Sequence, residues 1–283
     1  MQYTVTEGKL TITVDTKGAE LRSVIYDGKE RLWQNQTGDW KGRAPILFPV
    51  CGHFDMRVDG KEYPMPAHGF AKKMEFTLKE EGKNSLTFLL QSNEKTKEMY
   101  PYDFIFEVEY SVAGEKLTIK QTVKNPADTD MYFSLGGHES FAVEKPLAMH
   151  ELIFEKEEEF IHYTHTSKGY LSEERKCFGK GKKFIMPINF LINGKTVIFG
   201  GLKSRKVQLK ERGGDRKPLV NITFDGFENL LLWHCAGGNY ICIEPWLNLP
   251  DPLDEKREFS QKPGVAKVGG KEEKVFIRTF EYL

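Results

Sequence analysis

The stretch GEKLTIKQTVK, residues 114–124, alternates apolar and polar side chains directly after a glycine turn. Leu117, Ile119 and Val123 share one face, whereas lysines and threonines occupy the other. Because successive side chains of a strand point to opposite faces of a sheet, this alternation predicts a half-buried β-strand. The same period recurs along the chain, at 10–14, 207–209, 222–224 and 230–232.

Turn signals separate these predicted strands. Asp-Gly and Asn-Gly pairs adopt the positive φ angles that tight hairpins need. Such pairs and one further glycine turn occur at Asp27-Gly28, Asp59-Gly60, 113–115 and Asn193-Gly194. Helical patterns are short, at 94–101 and 251–258, and neither is long enough to join parallel strands. The sequence thus predicts an all-β fold, a large antiparallel β-sandwich, in which residues 1–283 form a single domain.

Composition sets limits on the partners. Lys plus Arg and Asp plus Glu number 41 each, so the net charge is zero and nothing points to a nucleic-acid partner. The N-terminus lacks a secretory signal pattern, and no apolar run reaches the roughly 20 residues of a membrane span. The four cysteines lack C-x-x-C spacing, and we expect reduced thiols. We therefore expect a cytoplasmic protein, a monomer or homodimer, that binds neither nucleic acid nor a membrane.

A carboxylate interrupts a predicted buried strand in NYICIEPWLNLPDP, residues 239–252. If Ile241 and Ile243 face the core, strand parity places Glu244 on the opposite face. The proline that follows restricts the backbone of Glu244 to extended geometry. Trp246 then offers a flat apolar surface suited to a sugar ring. The alternative is that Glu244 is only a solvated strand end.

Two histidines stand beside glycines, which allow close backbone approach. His68, in YPMPAHGFA, follows two prolines on a constrained turn. His138, in FSLGGHESF, comes after a predicted strand and two glycines. The alternatives are a loop histidine without a role at position 68 and a structural histidine beside a β-bulge at position 138.

Further polar residues are candidates for lining a site. His53, His234 and Arg43 are among them, Arg43 as a hydrogen-bond donor to sugar hydroxyls or, alternatively, as a surface arginine. His162 and His165 have a metal-ligand spacing, but residues three apart on a strand point to opposite faces. We therefore predict a surface coincidence and no metal site. The chain contains no dinucleotide, phosphate-loop or nucleophile-elbow motif, and we expect no cofactor.

Four motifs in this order, GRAPILFPVCG, MPAHGFA, GGHESF and CIEPWLNLPD, resemble those of the aldose 1-epimerase (galactose mutarotase-like) superfamily. More narrowly, they resemble its bacterial mutarotase-related branch. The resemblance runs from about residue 10 to the C-terminus and implies a β-sandwich with a sugar site on the concave face of one sheet. It also implies His138 as general acid, Glu244 as general base, and His68 and Arg43 as sugar-binding residues.

The reaction implied by the resemblance interconverts the α and β anomers of an aldohexose. Opening and closing the ring needs one acid and one base. A neighbouring carboxylate is expected to keep His138 charged near neutral pH. Asp225, in TFDGFENL, is the candidate for the family's additional sugar-binding aspartate, and Lys72 stands where related sequences often have arginine. The expected partner is thus a small sugar.

Two alternatives remain open at the level of sequence. A hexose-phosphate 1-epimerase would need a cationic clamp for the phosphate. The residues available for it are Arg43, Arg57, Lys72 and Lys73. A non-catalytic sugar-binding sandwich would keep the pocket without turnover.

Overall fold

The computed structural model describes residues 1–38, 40–191, 195–213, 217–235 and 237–283. The chain begins with β1 (Gln2–Glu7), β2 (Leu10–Asp15), β3 (Glu20–Tyr26), β4 (Lys29–Glu30), β5 (Met56–Val58), β6 (Lys61–Tyr63), β7 (Thr77–Glu81), β8 (Ser85–Gln91) and helix α1 (Glu94–Lys97). It continues with β9 (Ile105–Ala113), β10 (Lys116–Lys124), β11 (Met131–Phe133), β12 (Glu139–Ala142), β13 (His150–His165), β14 (Leu171–Ile185) and helix α2 (Ile188–Leu191). It ends with β15 (Val197–Phe199), β16 (Lys206–Glu211), β17 (Pro218–Thr223), β18 (Asn229–Trp233), β19 (Tyr240–Trp246), β20 (Ala266–Val268) and β21 (Glu273–Tyr282).

One large antiparallel sheet dominates the fold. Its strand order is β12-β19-β18-β15-β13-β16-β17-β21-β10-β9-β8-β7, with β14 paired to β13. A smaller sheet has the order β1-β2-β3-β4, and side chains from both sheets join one hydrophobic core. The predicted all-β antiparallel sandwich is therefore confirmed. That residues 1–283 form a single domain stays a prediction.

The alternating stretch at residues 114–124 supplies strand β10 in the middle of the large sheet. Leu117, Ile119 and Val123 are buried, as the alternation predicts. Gln121 lies on the same face and is also buried, although it is polar. Its side chain accepts a hydrogen bond from Arg278 of the adjacent strand β21. The inward face of β10 thus carries one polar contact inside an apolar core.

Three of the predicted turns are confirmed. Asp27-Gly28 and Asp59-Gly60 have positive φ at both residues and join β3 to β4 and β5 to β6. The turn at 113–115 joins β9 to β10. Asn193-Gly194 lies outside the described residues.

Of the two short helical patterns, the structure contains one. Helix α1 lies within the predicted range 94–101 and begins with a capping box, in which Asn93 and Thr96 bond each other's backbone amides. Residues 251–258 form turns and bends instead, so a helical turn there is wrong. None of the described helices is both long enough and apolar enough to cross a membrane.

A short strand pairing brings the GGHE and IEPW motifs together. Strand β12 runs antiparallel to β19, with Glu139 opposite Ile243. His138 immediately precedes β12, and Glu244 immediately follows Ile243, so the two side chains start from neighbouring points of the same sheet. The glycine segment before His138 is fixed by reciprocal backbone bonds between Gly136 and Leu47, at 3.1 and 3.2 Å.

The other motif histidine sits on a strained turn. His68 has φ +63° and Gly69 has φ +69°, both in the left-handed region. A Cβ at Gly69 would lie 2.0 Å from the carbonyl oxygen of Phe48. The turn therefore requires glycine at position 69 for two reasons, the positive φ and the close approach of the Phe48 backbone.

We expect Gly69→Ala to destabilise the protein by about 3 kcal/mol or more, because it adds a backbone clash to the left-handed φ. Gly60→Ala is the matched control, since Gly60 has φ +75° but no atom within 4 Å of its Cβ position. It should cost only about 1–2 kcal/mol. Urea denaturation measures both. Equal losses would show that the turn shifts away from Phe48 without penalty.

Candidate active site

A cavity of about 330 Å³ opens over one end of strand β19. Its described lining combines tryptophans, histidines and a single carboxylate. The polar and aromatic members are Trp40, His53, His68, His138, His165, Thr196, Trp233, Glu244 and Trp246. The cavity has the size of a small-ligand site.

His138 and Glu244 face each other inside this cavity. Nε2 of His138 lies 3.4 Å from Oε1 of Glu244, and the two side chains are 12% and 2% exposed. This oxygen of Glu244 has no hydrogen-bond partner among the described residues. A buried carboxyl oxygen without a partner is costly in a structural role but is free to accept a hydrogen bond or a proton from a ligand.

Burial controls the charge of this pair. It lowers the pKa of His138 to about 3, and Lys72 acts in the same direction. Burial also raises the pKa of Glu244 well above its usual value, and the neighbouring Glu139 raises it further. Burial therefore favours the neutral form of each group, the carboxylic acid of Glu244 and the uncharged imidazole of His138. The expectation that the carboxylate keeps His138 charged is wrong, because burial outweighs it.

His68 is held in one orientation by the segment beside it. Its Nδ1 accepts a hydrogen bond from the Gly52 amide at 3.1 Å, and its own amide donates to the Gly52 carbonyl at 2.8 Å. Burial, Lys72 and His138 hold the pKa of His68 well below its usual value, so the ring is neutral. Because Nδ1 is the acceptor, Nε2 carries the proton and is a hydrogen-bond donor.

Aromatic rings form the walls. Trp40 stacks on His138 with a centroid separation of 5.1 Å, and Trp233 meets His138 edge-on at 5.7 Å. Trp246 packs edge-on against His68 at 5.3 Å, and its Nε1 donates to the Gly137 carbonyl at 3.2 Å. The pocket thus offers flat apolar surface around its polar groups, a combination that suits a sugar.

The structure brings five of the candidate residues together: Glu244, His138, His68, Trp246 and His53 all line the cavity. His53 lies at a ring-centroid distance of 5.3 Å from Tyr170. Their catalytic and binding roles stay predictions, since position alone does not establish a role.

Three candidates lie outside the described lining. Arg43 donates through Nε to the side chain of Gln34 at 3.2 Å, and its backbone carbonyl accepts from the Ser140 amide at 2.9 Å. Its backbone thus supports strand β12 while its guanidinium is engaged elsewhere. Asp225 occupies an exposed turn after β17. Neither placement supports direct contact with a ligand in the cavity.

His234 lies outside the cavity lining, because alternation along the strand turns it to the other face. Leu231, which pairs with Glu244, and Trp233 both line the cavity, because residues two apart share a face. His234 comes one residue later and packs against Tyr240 at 5.1 Å. Trp233 is therefore the lining residue at this point of the chain.

The predicted surface placement of His162 and His165 is wrong. His162 is 1% exposed, and its Nδ1 accepts from the Ile198 amide at 3.0 Å. His165 lines the cavity, with Nε2 accepting from the Thr196 amide at 3.3 Å. Strand β13 shifts register between Tyr163 and His165, an irregularity that simple alternation does not contain.

One set of side chains has the spacing of a metal site. Donor atoms of His138, Cys242 and Glu244 lie within 4.8 Å of one another. Burial raises the pKa of the Cys242 thiol well above its usual value, so the sulfur keeps its proton at neutral pH and is a poor ligand in that state.

Comparison with known proteins identifies the class. A family model described as "Aldose 1-epimerase" matches residues 1–246, and the chain belongs to this family. The resemblance noted in the four motifs is thereby confirmed.

Relatives match this chain over different shares of its length. The chromosomal protein LacX of Lactococcus lactis subsp. lactis is 32% identical over 280 residues, covering 92% of each chain. A galactose mutarotase related enzyme from Lactobacillus acidophilus superimposes with a TM-score of 0.90 at 25% identity, covering 100% of this chain and 97% of the other. A putative glucose-6-phosphate 1-epimerase of Escherichia coli (strain K12) is 31% identical over 107 residues, covering 34% of each chain.

The low pKa of His138 gives a spectroscopic prediction. Since burial lowers this pKa to about 3, the imidazole should stay neutral between pH 8 and pH 5 and gain a proton only at more acidic pH. Long-range ¹H–¹⁵N NMR spectra, assigned with His138→Asn, report the protonation state of each ring. Imidazolium shifts for His138 at pH 6 would contradict the account.

Proposed function

We propose that the protein is an aldose 1-epimerase that interconverts the α and β anomers of an aldohexose. Membership of the aldose 1-epimerase family supports a carbohydrate epimerase. The observation that carries the finer proposal is the 3.4 Å approach of His138 to Glu244 at a tryptophan-walled cavity. Anomer exchange needs one group to take a proton from the C1 hydroxyl and another to supply one to the ring oxygen.

The pair suits both directions of the reaction. With one proton between them, one group donates to the ring oxygen while the other accepts from the C1 hydroxyl. The ring opens to the aldehyde, the C1–C2 bond rotates, and closure on the other face reverses both transfers. Each positioned group contributes about 10²–10⁴-fold. The rate should fall wherever the pair loses its proton or gains a second one, which gives a bell-shaped pH profile.

His68 has the role of a fixed donor in this proposal. Its Nδ1 is committed to Gly52, so the Nε2–H group is left to hold a sugar hydroxyl. The ring stays neutral because burial keeps its pKa low, and a neutral donor places no extra charge beside the reacting atoms. The tryptophans exclude water from the C–H faces of the sugar.

The cavity favours a free sugar over a sugar phosphate. None of the lining residues that the structure describes is lysine or arginine. Three of the four cations considered for a phosphate clamp have other partners: Arg43 donates to Gln34, Arg57 pairs with Glu258 at 3.2 Å, and Lys72 donates to the Ala67 carbonyl at 2.6 Å. A phosphate dianion would therefore meet no charge-assisted clamp in this lining.

The decisive variant for the proposed reaction is Glu244→Gln. It preserves the shape of the side chain and removes its proton-transfer capacity, so anomerisation should slow by about 10²-fold or more. Glu228→Gln, at an exposed carboxylate, is the matched control and should keep the wild-type rate. Polarimetry of fresh α-glucose or α-galactose, corrected for the spontaneous reaction, measures the rate. A near-wild-type rate in Glu244→Gln would remove the assignment.

Substrate charge can be tested separately. We expect free hexoses to be turned over with a higher kcat/KM than the corresponding 6-phosphates, because the lining offers no cationic partner. Anomer-resolved NMR of glucose and glucose 6-phosphate compares the two. A preference for the phosphate would favour the hexose-phosphate 1-epimerase. Sugar binding without acceleration of either would favour the non-catalytic module.

A further inference from the structure

A charged pair is buried beneath the candidate site. Arg278 of β21 is 0% exposed and Glu139 of β12 is 1% exposed. Nη2 of Arg278 donates to Oε1 of Glu139 at 2.8 Å, and Nη1 donates to the side chain of Gln121. The pair therefore joins β12 to the two central strands β10 and β21, on the core side of the sheet.

Strand geometry places this pair directly below His138 and Glu244. Glu139 follows His138 in sequence and lies opposite Ile243 in the β12–β19 ladder, so it shares the core-facing side with Ile243. His138 and Glu244 are one residue removed from these two positions and point into the cavity. The carboxylate of Glu139 is thus close enough to raise the pKa of Glu244 from the other side of the sheet.

The glycine segment before His138 rests on the ion pair. A Cβ at Gly137 would lie 2.4 and 2.5 Å from the two carboxylate oxygens of Glu139, and 2.7 Å from the guanidinium carbon of Arg278. On its other side, the amide of Gly137 donates to the Pro245 carbonyl at 3.1 Å. The backbone leading into His138 is therefore confined between the ion pair and strand β19.

Stability alone is a poor explanation of this cluster. Removing two charges from water costs several kcal/mol per ion, and replacing a buried pair by apolar residues is often neutral or stabilising. Oε2 of Glu139, Nε2 of Gln121 and Nε of Arg278 also have no hydrogen-bond partner among the described residues. These unmet groups add a further penalty. The position of the pair under the site points to a functional reason.

We propose that Glu139 and Arg278 are positioning residues for the acid–base pair. Arg278 holds the Glu139 carboxylate under Gly137, which fixes the backbone that leads into His138 beside Glu244. The expected changes in kcat and in the pH–rate profile rest on the proposed function, whereas the positioning of the His138 backbone does not.

The charged and titratable groups around the His138–Glu244 pair and the Glu139–Arg278 pair lie on several elements. Lys72 lies on the helical turn after His68, and it lowers the pKa of His138. His68, Cys51 and Cys242 interact electrostatically with members of the two pairs. Tyr110 and Tyr282 interact with Glu139 from the core. Glu139 is the carboxylate that pairs with Arg278. Its removal should therefore shift the limb of the pH–rate profile that Glu244 sets to lower pH.

The test is the neutral double variant Glu139→Gln with Arg278→Met. It removes both charges together, so no uncompensated ion is left in the core and folding is preserved. We expect kcat to fall about tenfold or more through lost positioning, with KM within about twofold. The pH optimum should move to lower pH. Phe88→Leu is the control, because it truncates a buried core side chain on strand β8, away from the site.

A second readout keeps the inference separate from the proposed function. Carboxyl ¹³C NMR of labelled glutamate, with the Glu244 signal assigned by Glu244→Gln, follows its protonation without any substrate. The midpoint should lie at lower pH in the double variant than in the wild type or in Phe88→Leu. If the wild type lacks anomerase activity, the proposed function fails while this measurement still decides the inference. An unchanged midpoint together with unchanged kcat would overturn it and leave the pair a structural element.

Discussion

The pairing of strand β12 with strand β19 is the constraint on which the site depends. It sets Glu139 opposite Ile243, and this register leaves His138 and Glu244 side by side at the edge of the ladder. A slip of β12 by one residue would turn its side chains to the other face of the sheet and separate His138 from Glu244. The glycines before His138 allow the chain to approach β19 closely enough for this arrangement, because a Cβ at Gly136 would lie 2.8 Å from Trp246.

Burial then sets the chemistry of the two groups. In water, a carboxyl group and an imidazole would each titrate near their ordinary pKa values, so the carboxyl group would be ionised at neutral pH. Inside the sheet, desolvation favours the neutral forms of both groups. The tryptophan walls and the neutral His68 leave the pair as the polar centre of the cavity.

Sequence patterns predicted the local features of the fold. Alternation identified β10, and Asp-Gly pairs identified the turns, because both depend on neighbouring residues. Parity along a regular strand also placed Glu244 in the cavity. His165 was missed because β13 shifts register just before it, and Trp40 lies in a loop without any period. The sequence named His234 as a lining residue, whereas the structure places the preceding residue, Trp233, in the lining. A shift of one position along a strand moves a side chain to the other face of the sheet.

The contacts between distant residues could not be predicted from one sequence. Glu139 and Arg278 are separated by most of the C-terminal half of the chain, and each alone resembles a surface charge. Only the strand order β21-β10, together with the approach of β12, shows that they meet in the core. The depressed pKa of His138 has the same origin, since its burial is a property of the assembled sheet.

A crystal structure with a bound aldohexose tests the central claim most directly. The account predicts that the anomeric C1 hydroxyl and the ring oxygen lie within about 3.2 Å of Glu244 and His138, one on each group. It also predicts that a sugar hydroxyl accepts a hydrogen bond from Nε2 of His68. A sugar bound with its C1 end at the mouth of the cavity, away from Glu244 and His138, would contradict the account.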